Sequence, residues 1–233
     1  DSIWQQDNWE SEFTQNSPNN GGTPTQKTAF KLFYNDQYIY VAIKAFDTDP
    51  NKIDARMSRK DSWKGDMLAI ELDSYNDNRT GFVFCVSSAG VKNDGVITSE
   101  NGSPDSTIDP IWYVKTAIVF DGWNAEIKIP LSQLKYSSET IQEWGIQVVR
   151  FLSRNQEYDT WAHISNKDSG WVNHYAKLSG IEDIKSKRQI ETAPFTLLSG
   201  DFDKKHSENP LEKANQFKAD AGVNGKIGLT NYL

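Results

Sequence analysis

Ile111-Trp112-Tyr113-Val114-Lys115-Thr116-Ala117-Ile118-Val119-Phe120-Asp121-Gly122-Trp123-Asn124-Ala125-Glu126-Ile127-Lys128-Ile129 alternates in two registers around an Asp-Gly pair. Trp112, Val114, Thr116, Ile118 and Phe120 share one phase before Asp121-Gly122; Trp123, Ala125, Ile127 and Ile129 share one after it. Successive side chains of a strand point to opposite faces, and Asp-Gly supplies the backbone angles of a tight hairpin turn. The segment predicts two antiparallel strands with one buried face each.

The same grammar extends in both directions. Thr28 to Tyr34 and Tyr38 to Phe46 flank a turn at Asn35-Asp36, and Pro50 closes the second strand because it cannot extend a ladder. Met67 to Asp73 places Leu68, Ile70 and Leu72 on one face. Gly81 to Ser87 does so with Phe82, Phe84 and Val86, leaving Cys85 on the other. Pro130 to Tyr136 reads as one helical turn; Trp144 to Leu152 and Tyr158 to Ile164 read as further strands. Eight or more strands separated by Gly, Asn and Asp predict an all-β protein, an antiparallel β-sandwich over about residues 26–178. Phe82, Phe84, Ile118, Ile127 and Val148 are expected in its core.

Residues 188 onward change character. Arg188 to Leu198 is read as one strand. Gln216 to Leu229 alternates Phe217, Ala219, Ala221, Val223, Gly225, Ile227 and Leu229 against polar residues and glycine. A strand of about 14 residues is longer than the usual 5–6, whereas strands of outer-membrane barrels need about 9–11 with one apolar face. The chain is therefore expected to divide into a sandwich, residues 1–185, and the first strands of an outer-membrane β-barrel, residues 186–233.

Composition narrows the chemistry. Among 233 residues, 32 Asp and Glu outnumber 25 Lys and Arg, for a net charge of −7. The basic face of a nucleic-acid binder is missing, so no nucleic-acid partner is expected. A single cysteine, Cys85, excludes an intrachain disulfide framework and a thiolate zinc cluster, and His163, His174 and His206 have no metal-ligand spacing. No apolar run approaches the roughly 20 residues of a transmembrane helix. Gly-x-Ser-x-Gly, P-loop and His-Glu-x-x-His motifs are absent from the sequence, so no enzyme is predicted. Eight tryptophans remain to be explained, as core or as a flat ligand platform.

Several segments together resemble the family 9 carbohydrate-binding module. The form they resemble opens bacterial outer-membrane proteins of the domain of unknown function 5916 family. The resemblance rests on Phe33-Tyr34-Asn35-Asp36-Gln37-Tyr38-Ile39-Tyr40-Val41, Ala45-Phe46-Asp47-Thr48-Asp49-Pro50, Arg59-Lys60-Asp61 and Trp63-Lys64-Gly65-Asp66. It continues through Glu71-Leu72-Asp73, Asp77-Asn78-Arg79-Thr80-Gly81-Phe82-Val83-Phe84 and Gly122-Trp123-Asn124-Ala125-Glu126-Ile127-Lys128-Ile129-Pro130. It ends on Leu134, Trp144-Gly145-Ile146, Arg150 and Trp161. It spans about Trp9 to Ile184 and implies a following barrel, hence the outer membrane, on its periplasmic or cell-surface side, with outer-membrane protein partners. Modules of this family often accompany carbohydrate-degrading enzymes, which implies an accessory role in carbohydrate catabolism.

Sugar-binding members sandwich a ring between two tryptophans and bond its hydroxyls with acidic, amide and arginine side chains. The resemblance places Trp63 with Asp66 at the Trp-x-x-Asp position and Trp161 at the late tryptophan. The residue three after that aspartate, acidic in sugar-binding forms, is Ala69 here, which implies one polar contact fewer.

From the residues themselves, Trp63 lies in a charged stretch and Trp161 and Trp171 in a polar one, whereas Trp112, Trp123 and Trp144 are in phase with apolar neighbours. Arg150 interrupts an apolar phase, so it meets a buried carboxylate or lines a pocket. The candidate ligand residues are Trp63, Asp66, Arg79, Glu126, Arg150, Trp161 and Trp171, with Trp63 and Trp161 expected to face one another across a cleft. Two or three aromatic stacks of about 0.5–1.5 kcal/mol each, with a few hydrogen bonds, correspond to a Kd of roughly 10 µM to 1 mM. Asp47, Asp49, Asp73 and Asp77 offer the hard oxygen donors of a structural calcium site, although Asx turns use the same residues. Two functions are open at this point: a module that binds an oligo- or polysaccharide, and an interaction domain with a vestigial sugar site that docks on its barrel or a partner protein.

Overall fold

The computed structural model describes residues 8–98, 100–184, 190–202 and 215–227. The first part of the chain forms β1 (Thr14–Ser17), β2 (Thr28–Tyr34), β3 (Tyr38–Phe46), β4 (Met67–Asp73), β5 (Gly81–Ser87), β6 (Lys92–Ile97) and β7 (Pro104–Asp105). There follow β8 (Tyr113–Val119), β9 (Gly122–Pro130), β10 (Ile141–Leu152), β11 (Glu157–Thr160) and β12 (Ala176–Glu182). The last two strands are β13 (Ile190–Phe202) and β14 (Asn215–Ile227). The helical turn expected after Pro130 is a 3-10 turn at Leu131–Gln133.

Strands β2-β3-β9-β8 make one antiparallel sheet, and β1-β11-β10-β4-β5-β6-β7 the other. The twelve residues of β10 carry β12 along Ile141–Ile146 and β11 along Val149–Leu152, on the edge away from β4. Strands β1, β6, β7 and β12 have no counterpart among the expected strands, and β1 and β12 reach beyond residues 26–178 while staying within residues 1–185.

Between the sheets lie Phe30, Ile39, Val41, Ile43, Leu68, Ile70, Leu72, Phe84 and Val148, with Trp112, Trp123 and Trp144 fully buried among them. Each of these alternates as the strand period requires. Phe82, Phe84, Ile127 and Val148 are buried as expected, but Ile118 is 53% exposed. It stands on β8, an edge strand with β9 as its one neighbour, and the opposite sheet does not cover it.

The hairpin turn also differs by one residue. Val119 pairs with Gly122, so the loop is Phe120-Asp121, and Gly122 opens β9 with φ +145°. A Cβ there would lie 2.1 Å from the carbonyl oxygen of Ala45 on β3, so glycine is required for the strands to approach.

Alternation alone leaves the outer phase of β4, β5 and β10 to solvent. The structure instead buries Met67, Ala69, Val83, Cys85 and Val149 on that face in a second apolar cluster with Val172, overlaid by Trp171 and Tyr175. The central strands are thus covered on both sides, by the other sheet and by the segment preceding β12.

Arg150 resolves into the structural role. Its guanidinium is 1% exposed and donates to the carbonyls of Lys27 (2.9 Å) and Phe46 (2.9 Å) and to Thr28 Oγ1 (3.2 Å). Arg154 grips Asp47 with two bonds of 2.7 and 2.9 Å, and Asp66 Oδ1 accepts the Ser153 N–H at 2.9 Å. This knot ties β10 of one sheet to β2 and β3 of the other.

Residues 188–230 form a second compact unit. Its strands β13 and β14 pair antiparallel without a register break from Ile190↔Ile227 to Phe202↔Asn215. One face carries Thr192, Pro194, Thr196 and Leu198 opposite Gly225, Val223, Ala221 and Ala219; Phe195 and Leu197 lie on the other, opposite Gly222 and Asp220. The expected end of β14 at Leu229 falls outside the described residues.

Candidate functional site

The residues that come together lie on the covered outer face of the larger sheet, around Trp171. Its indole Nε1–H donates to Glu71 Oε2 at 2.8 Å, and the Tyr175 hydroxyl donates to the same oxygen at 2.5 Å. The ring tilts against Tyr158 at 6.0 Å between centroids. Gly102, at φ +72°, allows this: a Cβ there would stand 2.5 Å from Trp171 Cδ2. Burial pushes the Glu71 carboxyl up to about 7, against the pull of its Tyr175 and Trp171 donors.

Beside this ring opens a cleft of about 440 Å³, walled by Trp171, Arg79, Asn78, Glu100 and Asn173. The loop that presents Asn78 and Arg79 is held from beneath. Asp73 accepts the N–H groups of Asp77 (3.2 Å) and Asn78 (2.8 Å). Asp77 accepts those of Arg79 (2.8 Å) and Thr80 (2.7 Å) and the Thr80 hydroxyl (2.8 Å). Asn76 and Asn78 adopt positive φ, as Asn does most readily among residues with a side chain. Burial raises the Asp73 carboxyl despite these bonds, whereas at Asp77 the donors outweigh burial and hold it low.

These carboxylates are therefore loop builders. Asp47 is committed to Arg154, Asp49 pairs with Lys52 at 2.9 Å, and Asp73 and Asp77 satisfy backbone donors. The four do not fit a shared calcium ion, and among the described residues no three His, Cys, Asp or Glu converge to hold a metal.

The expected tryptophan pair is not formed. Trp63 lies on the outer face of the larger sheet, over Met67, Ala69 and Glu71, at a cavity of about 50 Å³. That is room for about one water molecule. Trp161 packs on the core side, edge-on against Phe30 at 5.0 Å, and lines a different cavity of about 380 Å³. Leu68 and Ile70 on one side of β4, with Met67 and Ala69 on the other, explain why the two rings cannot meet. Trp63 is nonetheless unusual, since its backbone is held at φ +40° with its N–H donated to Asn93 Oδ1 at 3.2 Å. Asp66 is buried in the Arg150–Arg154 knot, and burial raises its carboxyl. Glu126 is exposed on the outward face of the smaller sheet, in a separate groove.

Of the sequence candidates, then, Arg79 and Trp171 share a cleft. Asn78, Asn173, Glu71 and Gly102 were not singled out. An Asp-Asn-Arg-Thr-Gly turn is a visible signal for the first, but the rest depend on contacts between residues remote in the chain, such as Glu71 with Trp171, 100 positions apart.

No family model matches the chain, and neither does any curated protein. The fold does have counterparts among solved structures. A carbohydrate-binding module family 9 from Caldicellulosiruptor kristjanssonii in complex with glucose matches with a TM-score of 0.55 at 16% identity, over 80% of this chain and 88% of its own. A carbohydrate-binding module family 9 from Caldicellulosiruptor kristjanssonii in complex with cellotriose matches with a TM-score of 0.53 at 17% identity, over 80% of this chain and 87% of its own. A Bacteroides uniformis ATCC 8492 protein matches with a TM-score of 0.56 at 12% identity, over 72% of this chain and 86% of its own. The two-sheet core, its tryptophans and these superpositions agree on one architecture: this sandwich has the fold of the family 9 carbohydrate-binding modules.

Proposed function

We propose that the sandwich is a non-catalytic carbohydrate-binding module that takes an oligosaccharide at the Trp171 cleft. The observation that carries this reading is the lining of that cleft. One aromatic ring stands among a guanidinium, two amides and a carboxylate, the donors and acceptors that sugar hydroxyls require. A volume of about 440 Å³ lies within the usual range of ligand sites, roughly 300–1,000 Å³. The cellotriose complex of the Caldicellulosiruptor kristjanssonii module supports a glucan as the first probe. The alternation of the second unit supports a barrel partner and an outer-membrane location, on the periplasmic or cell-surface side.

One observation favours a docking role for the other half of this face. Beneath Trp63 the cavity is lined by Met67, Ala69, Val83, Cys85 and Val149 together with Glu71 and Tyr158, and at about 50 Å³ it is too small for a sugar ring. Glu71 there is already engaged by Trp171 and Tyr175, so this mostly apolar part of the surface suits an apolar protein contact.

Titration calorimetry with cellotriose separates the two readings. Arg79→Ala and Asn173→Ala are expected to weaken binding about tenfold each, and Trp171→Ala to abolish it, while Trp63→Ala and Trp161→Ala bind as the parent does. Arg79 and Asn173 are exposed, so their variants should unfold at the parent temperature. If cellotriose and other neutral glucans fail to bind the parent, or bind but are lost only with Trp63, the cleft is not the site.

A further inference from the structure

The outward face of the smaller sheet carries a second concavity whose lining matches neither the Trp171 cleft nor the overall charge of the chain. It is a groove of about 660 Å³, bordered by Tyr40, Tyr113, Lys92, Lys115, Lys128 and Glu126. Strand pairing explains the grouping. Lys128 on β9 faces Tyr40 on β3 on one side and Tyr113 on β8 on the other, and Glu126 faces Lys115. Directly opposed residues in a ladder share a face.

The ammonium of Lys128 lies 3.8 Å from the ring centroid of Tyr38, 5.7 Å from that of Tyr113 and 5.9 Å from that of Tyr40. Such contacts fix a long side chain over its aromatic bed. Lys92 is fixed as well, through a 2.6 Å bond to the Trp112 carbonyl. The groove thus offers flat rings and ordered cations together. Three lysines stand there against one glutamate, in a chain whose net charge is −7.

We infer that this groove is a second ligand site, for an acidic sugar chain of the uronate type. The C–H faces of a pyranose meet Tyr40 and Tyr113, and its carboxylate meets the ammonium groups of Lys115 and Lys128. A concave lining favours a chain of one to a few rings over a membrane surface, which needs protruding groups. Carboxylate binding follows from the sign of the lining, because a neutral glucan leaves three ammoniums facing the single carboxylate of Glu126. The Trp171 cleft lies on the other sheet and shares no lining residue with this groove.

The test uses the full chain and trigalacturonate, with its methyl ester and cellotriose as controls. Trigalacturonate should bind, weaken with added salt, and bind at least about tenfold more tightly than the ester. Lys128→Gln and Tyr113→Ala should each reduce that affinity about tenfold or more and leave cellotriose binding unchanged. Lys128 is half-buried and Tyr113 is 53% exposed on an edge strand, so an unchanged unfolding temperature verifies the variants. Equal affinity for acid and ester, or loss of trigalacturonate binding through Trp171→Ala instead of Lys128→Gln, overturns the inference. So does an absence of trigalacturonate binding. Lys128-dependent binding of trigalacturonate with no binding of cellotriose would sustain this site and reject the cleft.

Discussion

Replacing Arg150 with Met should lower the stability of the sandwich by about 3–5 kcal/mol, the usual loss when one partner of a buried charged network is removed. Methionine fills a similar length but donates nothing. The carbonyls of Lys27 and Phe46 and the Thr28 hydroxyl each lose a donor inside the protein, and Asp47, Asp66 and Asp159 lose a buried positive charge. Asp47 keeps Arg154, which limits the damage. For a domain of this size the unfolding midpoint should fall by roughly 10 °C or more. The exposed Lys177, 4.0 Å from Glu143, is the control, and Lys177→Met should change stability by less than about 0.5 kcal/mol. Urea unfolding of the two variants decides the matter. Equal losses would mean that the knot contributes no more than a surface pair.

Stability should also fall as pH rises from about 4.5 to 7. Glu71 has an ordinary carboxyl pKa of 4.5 in the unfolded chain and about 7 in the fold. Over that interval the folded state holds a proton that the unfolded state has released, so each step upward in pH favours unfolding. Above pH 7 both states are ionised and this contribution is flat. At full extent it is on the order of 3 kcal/mol. Asp159, raised to about 7 by burial and by the neighbouring Glu157 against the pull of Arg150, acts in the same direction. Asp47 and Glu157 are held low by their partners and act oppositely, losing their contribution only in more acidic solution. Urea titrations at pH 5, 6 and 7.5 should therefore show a decline, and Glu71→Gln should remove a large part of it. A parent protein equally stable at all three values would show that Glu71 is solvated or repaired by a charge in solution.

What could be read in the sequence follows from how local each cause is. The β2–β3 hairpin was legible because its turn is made within the turn: the Asn35 side chain accepts the N–H groups of Gln37 and Tyr38. Trp112, Trp123 and Trp144 were legible as core because each shares a phase with apolar neighbours. Strand β6 was not, since Lys-Asn-Asp-Gly carries buried polar residues whose partners are remote. Asp94 accepts the Trp112 indole N–H at 3.0 Å, and Asn93 accepts the Trp63 amide. The choice between Trp161 and Trp171 was equally illegible. Both occur in polar segments, and what separates them is Phe30 for one and Glu71 with Gly102 for the other. Asp66 is a ligand candidate through the Trp-x-x-Asp resemblance, and it is the Ser153 N–H, 87 positions further along the chain, that makes it structural.

The long hairpin of β13 and β14 bears on how the protein behaves in a tube. Each strand offers one row of backbone groups to the other and, within the two-stranded sheet, leaves a second row thirteen residues long unpaired. Unpaired edges of that length, beside a face of Leu198, Val223 and Ala219, are templates for addition of further chains. In detergent-free buffer the full chain should therefore self-associate through this hairpin, forming strand-ordered aggregates as its concentration rises. A chain ending before residue 188 should stay monodisperse under the same conditions. Light scattering on the two, with and without a detergent micelle, reads the difference directly, and equal scattering would show that the hairpin edges are protected.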